Sequence, residues 1–125
     1  MNTLAFEAWR LLFRFEWATH GQGFKEILRL VRKESTRVEP VGGILPVETL
    51  CRAIDYACVF YFKPVLCLQR SAATALLLRR HGWPAEMVLG AQMFPFRSHA
   101  WCEIAGEVVN DKPYMQEIYR VLERC

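Results

Sequence analysis

Residues 98–111 read Ser98-His99-Ala100-Trp101-Cys102-Glu103-Ile104-Ala105-Gly106-Glu107-Val108-Val109-Asn110-Asp111. How this stretch folds decides the architecture. Short apolar runs on either side of Ala105-Gly106 give two strands joined by a tight turn, a β-hairpin. Two registers are open. A three-residue loop, Ile104-Ala105-Gly106, closes with Gly106 in the left-handed conformation. It pairs Glu103 with Glu107, Cys102 with Val108, Trp101 with Val109 and Ala100 with Asn110, so His99 faces Asp111. Directly opposed residues share a face with Cβ atoms about 5 Å apart, close enough for a carboxylate to hold an imidazole in one tautomer. A two-residue loop at Ala105-Gly106 instead pairs His99 with Lys112 and turns Asp111 to the other face. A carboxylate-oriented histidine therefore predicts the three-residue loop, at the mild cost of a cross-strand Glu pair. Cys102 lies three residues after His99, an odd separation that turns it toward the core.

Upstream the texture is helical. Thr3 can cap a first helix from about Leu4 to Thr19, which Gly21 and Gly23 end. Phe6, Trp9, Phe13 and Trp17 repeat along it at helical spacing, a stripe read as the face docked on the core or, alternatively, on a partner protein or a membrane surface. Phe24, Ile27, Leu28 and Val31 follow the i, i+3, i+4, i+7 pattern of a second helix. Ser35 to Pro46, with Pro40, Gly42 and Gly43, reads as a loop. A third helix runs from Val47 to about Phe62, and Pro64 breaks it. A fourth spans about Cys67 to His81, closed by Gly82. Glu86 to Gln92 reads as a strand and Met93 to Arg97 as a loop. Pro113 opens a last short helix with Met115, Ile118, Val121 and Leu122 as its apolar face. Helices followed by a small antiparallel sheet make an α+β domain. It spans 1–125, with a helical part (1–63) and a part holding the fourth helix and the sheet (64–125).

Composition narrows the function classes. Of 125 residues, 53% are hydrophobic and 23% charged, which suits one folded domain and excludes disorder. A formal net charge of +3 is too small to argue for a nucleic-acid partner. Glu7, Arg10, Arg14 and Glu16 interrupt the most apolar stretch, so no run of about 20 uncharged residues predicts a membrane span. The N-terminus lacks the features of a signal peptide, which predicts a cytoplasmic protein with reduced thiols.

There are five cysteines, an odd number that leaves a thiol over in any disulfide scheme. Cys51 and Cys58 fall in the apolar stripe of the third helix, and Cys125 is the terminal residue, expected to be mobile. Their spacing does not suit a metal site, and no cofactor is implied. Cys67 differs. It opens a helix, where the free N–H groups and the dipole favour the thiolate, the nucleophilic form. Arg70 adds a cation one turn on, and the Cys67 backbone N–H is available to an oxyanion. A nucleophilic cysteine needs a base and an orienter. His20 and His81 end helices and suit capping roles, which leaves His99 as base and Asp111 as orienter. Gln69 is available as a second oxyanion donor or as a surface residue. Trp101 shares the face of His99, to shield the site, line the cleft or pack the core.

The order Cys…His…Asp is shared by papain-like and transglutaminase-like enzymes. The run from Cys67 to Asp111 further resembles the transglutaminase-like leader peptidases of lasso-peptide biosynthesis. The matching pieces are Cys67-Leu68-Gln69-Arg70-Ser71, Leu76-Leu77-Leu78-Arg79-Arg80-His81-Gly82, Val88-Leu89-Gly90, His99-Ala100-Trp101-Cys102-Glu103 and Gly106-Glu107-Val108-Val109-Asn110-Asp111. The family often has an aliphatic residue where Cys102 stands. The resemblance implies a papain/transglutaminase-like fold and a Cys67–His99–Asp111 cysteine protease that removes the leader from a ribosomally made precursor peptide. It also implies, as partners, a separate leader-recognition protein and a separate macrolactam synthetase. The same residues would also serve an acyltransferase, or survive in an inactive binding module.

Overall fold

The computed structural model describes residues 2–37 and 45–125, so Pro40, Gly42 and Gly43 of the expected loop lie outside the described residues. Helix α1 spans Thr3–His20. Its cap is Asn2 rather than Thr3: the Asn2 side chain accepts the Ala5 N–H at 2.7 Å, which satisfies a donor that the first turn leaves open. The face it buries is Ala5, Ala8, Leu11, Leu12, Phe15 and Ala18. The aromatic stripe expected to dock there lies beside that face, with Trp17 83% exposed. Small and aliphatic residues let α1 pack on its neighbours, while the aromatics stack on one another at the rim. Trp9 meets Phe13 edge-on at 4.4 Å, and Phe13 meets Tyr61 and Phe62 at 5.0 and 5.6 Å.

Helix α2, Phe24–Lys33, buries Ile27, Leu28 and Val31 of the four residues its periodicity marks, while Phe24 at its head stays exposed. Helix α3, Val47–Val59, stops short of the expected Phe62, and the chain turns toward Pro64. Helix α4, Cys67–Arg80, is buried from Ser71 to Arg79 without a break. It is the central helix, packed by α1 and α3 on one side and the sheet on the other, so it lacks a solvated stripe.

The sheet has the order β3-β2-β1-β4, all pairs antiparallel. Strands β1 (Ala85–Gln92) and β2 (Arg97–Ile104) pair along their whole length, from Ala85 with Ile104 to Gln92 with Arg97. Strand β3 is only Glu107–Val108. The expected final helix is overturned. One turn, α5 (Met115–Ile118), is helical, and Val121 and Leu122 belong to strand β4, Arg120–Arg124. The outer edge of β1 explains this: its N–H and C=O groups need partners, and a β-competent segment supplies them. Cys125 is also tied down. Its N–H and C=O both bond Met87, at 2.9 and 2.7 Å, so the terminal thiol is not the mobile bystander expected.

The sheet separates two apolar clusters. Ala85, Met87 and Cys102 face the helices, while Val88, Trp101 and Met115 form a smaller cluster on the far side. Arg79 joins the layers. Its buried guanidinium donates to the backbone carbonyls of Ala85, Val31, Glu34 and Cys125 at 2.8, 2.5, 3.1 and 2.8 Å. These carbonyls come from β1, the end of α2 and the end of β4. No described helix is long and apolar enough to cross a membrane.

Replacing Arg79 by Met removes every one of those donors while keeping the apolar stem. We expect a loss of about 3 kcal/mol, the scale of several buried acceptors left unpaired, read as a lower urea midpoint at unchanged slope.

Candidate active site

Cys67 is the first residue of α4. Two ties hold the chain that leads into it. Lys63 pairs with the buried Glu16 carboxylate at 2.8 Å, and that contact holds Glu16 below the ordinary carboxylate range despite burial. The Leu66 N–H donates to Gln69 Oε1 at 3.4 Å. The helical ladder starts with Arg70 N–H on Leu66 C=O at 2.9 Å, so the Cys67 N–H points out of the helix start.

Gln69 and Arg70 are not where an oxyanion or a thiolate could use them. Gln69 is 4% exposed, and its amide donates back to Thr19 Oγ1 and Glu16 Oε1 at 3.2 and 3.4 Å. Arg70 pairs with Asp55 on α3. Both residues fix the helix in place, and neither lines the cleft at Cys67.

The hairpin corrects the expected register. Glu103 pairs with Val108 and Ile104 with Glu107, leaving Ala105-Gly106 as a two-residue loop. Both loop residues have positive φ, 51° and 83°, the conformation of a type I′ turn, whose twist matches that of the strands it joins. Continued regularly, this register would carry Asp111 away from His99. Instead Asp111 Oδ2 lies 2.6 Å from His99 Nε2.

The ladder ends early, and Asn110 ends it. Val109 N–H still bonds Cys102 C=O at 3.0 Å. The Cys102 N–H, however, goes to the Asn110 side chain at 2.7 Å, while the Val109 carbonyl accepts the Cys51 thiol at 3.5 Å. With a side chain standing in for backbone, the chain leaves the sheet and swings Asp111 across to His99. Asn110 Nδ2 donates to Ser71 Oγ at 3.3 Å, and Ser71 Oγ donates to Ala100 C=O at 3.0 Å. Helix α4 and the hairpin are thereby locked one helical turn from Cys67.

The His99 ring is held on its faces as well. It stacks with Tyr119 at 5.3 Å and with Trp101 at 6.1 Å. Trp101 is fully buried and packs the far-side cluster rather than lining the cleft. Its indole N–H donates to Glu103 Oε2 at 2.7 Å. Glu103 is buried, which pushes its carboxyl up, but hydrogen bonds from Arg124, Trp101 and Gln116 outweigh burial and hold it below its ordinary value. A carboxylate only accepts hydrogen bonds, so a bond to Asp111 is donated by Nε2–H and leaves Nδ1 as the open ring nitrogen.

Cys67 and His99 line one cleft of about 440 Å³, with Leu68, Leu89, Phe24 and Leu122. No hydrogen bond joins the thiol to the ring. The remaining thiols are poor nucleophiles: burial pushes Cys51 up to about 11 and raises Cys58, Cys102 and Cys125 as well. Cys102 faces the core as its odd separation from His99 predicts, its thiol on the Ser71 carbonyl at 2.9 Å. His20 sits 2.9 Å from Glu16, and His81 caps α4 with Glu7 3.4 Å away. Among the described residues no group of three or more His, Cys, Asp or Glu side chains stands together to hold a metal.

Ser71, Asn110 and Gly90 entered the sequence reading without a role at the site, and Tyr119 did not enter it. Two signals were available: Asn in a strand is disfavoured, and Gly in a strand marks close approach of another group. Gly90 pairs with His99 across the ladder, and a Cβ there would lie 2.7 Å from Trp101 Cη2 and 2.8 Å from Tyr119 Cβ. Gly90→Ala therefore pushes on both aromatics that hold His99. We expect a stability loss of about 1–3 kcal/mol and a larger proportional loss in Cys67 reactivity, measured as iodoacetamide labelling on the folded variant.

A family model for the transglutaminase-like superfamily matches residues 9–124. The microcin J25-processing protein McjB of Escherichia coli is 38% identical over 56 residues, covering 45% of this chain and 27% of that protein. The match therefore spans about a quarter of that curated relative. No solved structure matches the chain.

Proposed function

The chain belongs to the transglutaminase-like superfamily, and from that premise we propose that it is a cysteine protease that removes the leader from a lasso-peptide precursor. The observation that carries this reading is the single cleft shared by Cys67 and His99, with Asp111 behind the imidazole at 2.6 Å. The partial match to a microcin-processing protein supports the choice of substrate.

In the proposed reaction His99 Nδ1 takes the Cys67 proton, and Cys67 Sγ attacks the scissile carbonyl carbon. The carbonyl oxygen becomes an oxyanion, facing the Cys67 N–H at the positive end of α4. His99 then gives its proton to the leaving amine, and the C–N bond breaks. Water, deprotonated by His99, attacks the thioester, and the leader leaves with a free carboxylate. Asp111 keeps the proton on Nε2 throughout and stabilises the imidazolium as it forms. Arg70 and Gln69 enter only by fixing the start of α4.

A separate leader-recognition protein and a macrolactam synthetase are the proposed partners. The outward aromatics Phe6, Phe13, Trp17 and Phe62 are an apolar patch of the kind that marks a protein contact.

The test is one digest of a precursor peptide, with the recognition protein present and absent, read by mass spectrometry. Hydrolysis predicts two fragments whose masses sum to the precursor plus one water, and no cleavage by Cys67→Ala. An amine-linked product without the added water marks acyl transfer instead. Cleavage retained in Cys67→Ala, or no cleavage even with the recognition protein, overturns the proposal.

A further inference from the structure

We infer that the cleft beside Cys67 is a subsite for one uncharged, apolar side chain of the substrate peptide, gripped between Phe24 and Leu122; this rests on Cys67 being the nucleophile. Strand β4 carries the first evidence. Leu89 pairs with Glu123 and Gly90 with Val121, so Leu122 is an extra residue with no partner on β1. Leu122 and its neighbour Glu123 both line the cleft. The bulge thus adds a residue to the edge strand where that strand borders the nucleophile's cleft, a place where bulges commonly occur.

The rim is apolar where a rim is normally polar. Leu122 is 66% exposed and Phe24, at the head of α2, is 50% exposed. Two large apolar groups from opposite ends of the chain thus stand in water at the mouth of one cleft. Leu68, Leu89 and Ala100 line it further in. A volume of about 440 Å³ suits part of a peptide and lies within the usual range of ligand clefts.

Charge argues the same way. Glu123 is the charged residue in the lining, and Arg32 pairs with it. With that pair made, the lining offers no unpaired carboxylate to a cationic substrate side chain and no lysine or arginine to an anionic one. An apolar side chain loses nothing on entry and covers Phe24 and Leu122. Because the cleft includes Cys67 and His99, the residue it selects lies next to the bond under attack.

The probes are acetyl-dipeptide chloromethyl ketones that differ only in whether the side chain next to the ketone is Leu, Phe, Asp or Lys. Cys67 displaces chloride from them, forming an S–C bond. Labelling rates, read by intact mass, are divided by the iodoacetamide rate of the same variant. We expect the Leu and Phe reagents to label roughly tenfold or more faster than the Asp and Lys reagents, the scale of burying one apolar side chain. Phe24→Ala and Leu122→Ala should each cut that preference several-fold, and neither is buried enough to threaten the fold. A preference near one, or one that survives in both variants, overturns the subsite while the nucleophile stands. Iodoacetamide labelling that does not favour Cys67 over the other thiols overturns the premise, and the subsite with it.

Discussion

Asn110 accepts the Cys102 N–H at 2.7 Å and donates to Ser71 Oγ at 3.3 Å. The geometry of the site depends on this pair of hydrogen bonds. The first replaces a rung of the β2–β3 ladder and so ends the strand. The second ties the end of the strand to α4, one turn past Cys67. Asp111, the next residue, is released from the sheet at the point where His99 can meet it. A backbone rung in the same place would continue the ladder, and the two-residue turn would then send Asp111 to the wrong face. Helix, histidine and carboxylate come from separate elements, and one amide side chain brings them into register.

The parts of the fold legible in the sequence are those set by local periodicity. The starts of α3 and α4, the buried Ile27, Leu28 and Val31 of α2 and the strands β1 and β2 follow from apolar spacing, Pro64 and Gly82. The position of Cys67 at a helix head follows from the same marks. The errors arose where tertiary partners override local preference. Val121 and Leu122 read by spacing as the end of a short helix, yet an open sheet edge makes a strand of Arg120–Arg124. The Phe6-Trp9-Phe13-Trp17 stripe has the right period and the wrong face, because the alanines and leucines beside it pack more closely. The hairpin register failed on Ala105, which adopts a left-handed φ of 51° that glycine would advertise and alanine does not. Asp111 nonetheless reaches His99, at 2.6 Å, by a route the ladder could not supply.

The sheet divides the labour. Its helical side holds most of the apolar core, locked across layers by Arg79. Its far side holds a small cluster whose work is to place His99: Trp101 and Tyr119 stack on the ring, Gly90 leaves them room, and the Glu103 carboxylate anchors the Trp101 indole. Glu103 also receives Gln116 and Arg124, so α5 and β4 are drawn onto the same face. The segment misread as a helix is therefore what closes the site, by bringing Tyr119 to His99 and Leu122 to the cleft.

The most direct test is the ¹⁵N spectrum of the His99 imidazole in the intact protein, compared with that of Asn110→Ala. For the neutral ring the account predicts the proton on Nε2 and Nδ1 bare in the native chain, and a mixture of tautomers once Asn110 is lost and Asp111 is no longer delivered. A native spectrum showing the proton on Nδ1, or identical spectra for the two proteins, would contradict it.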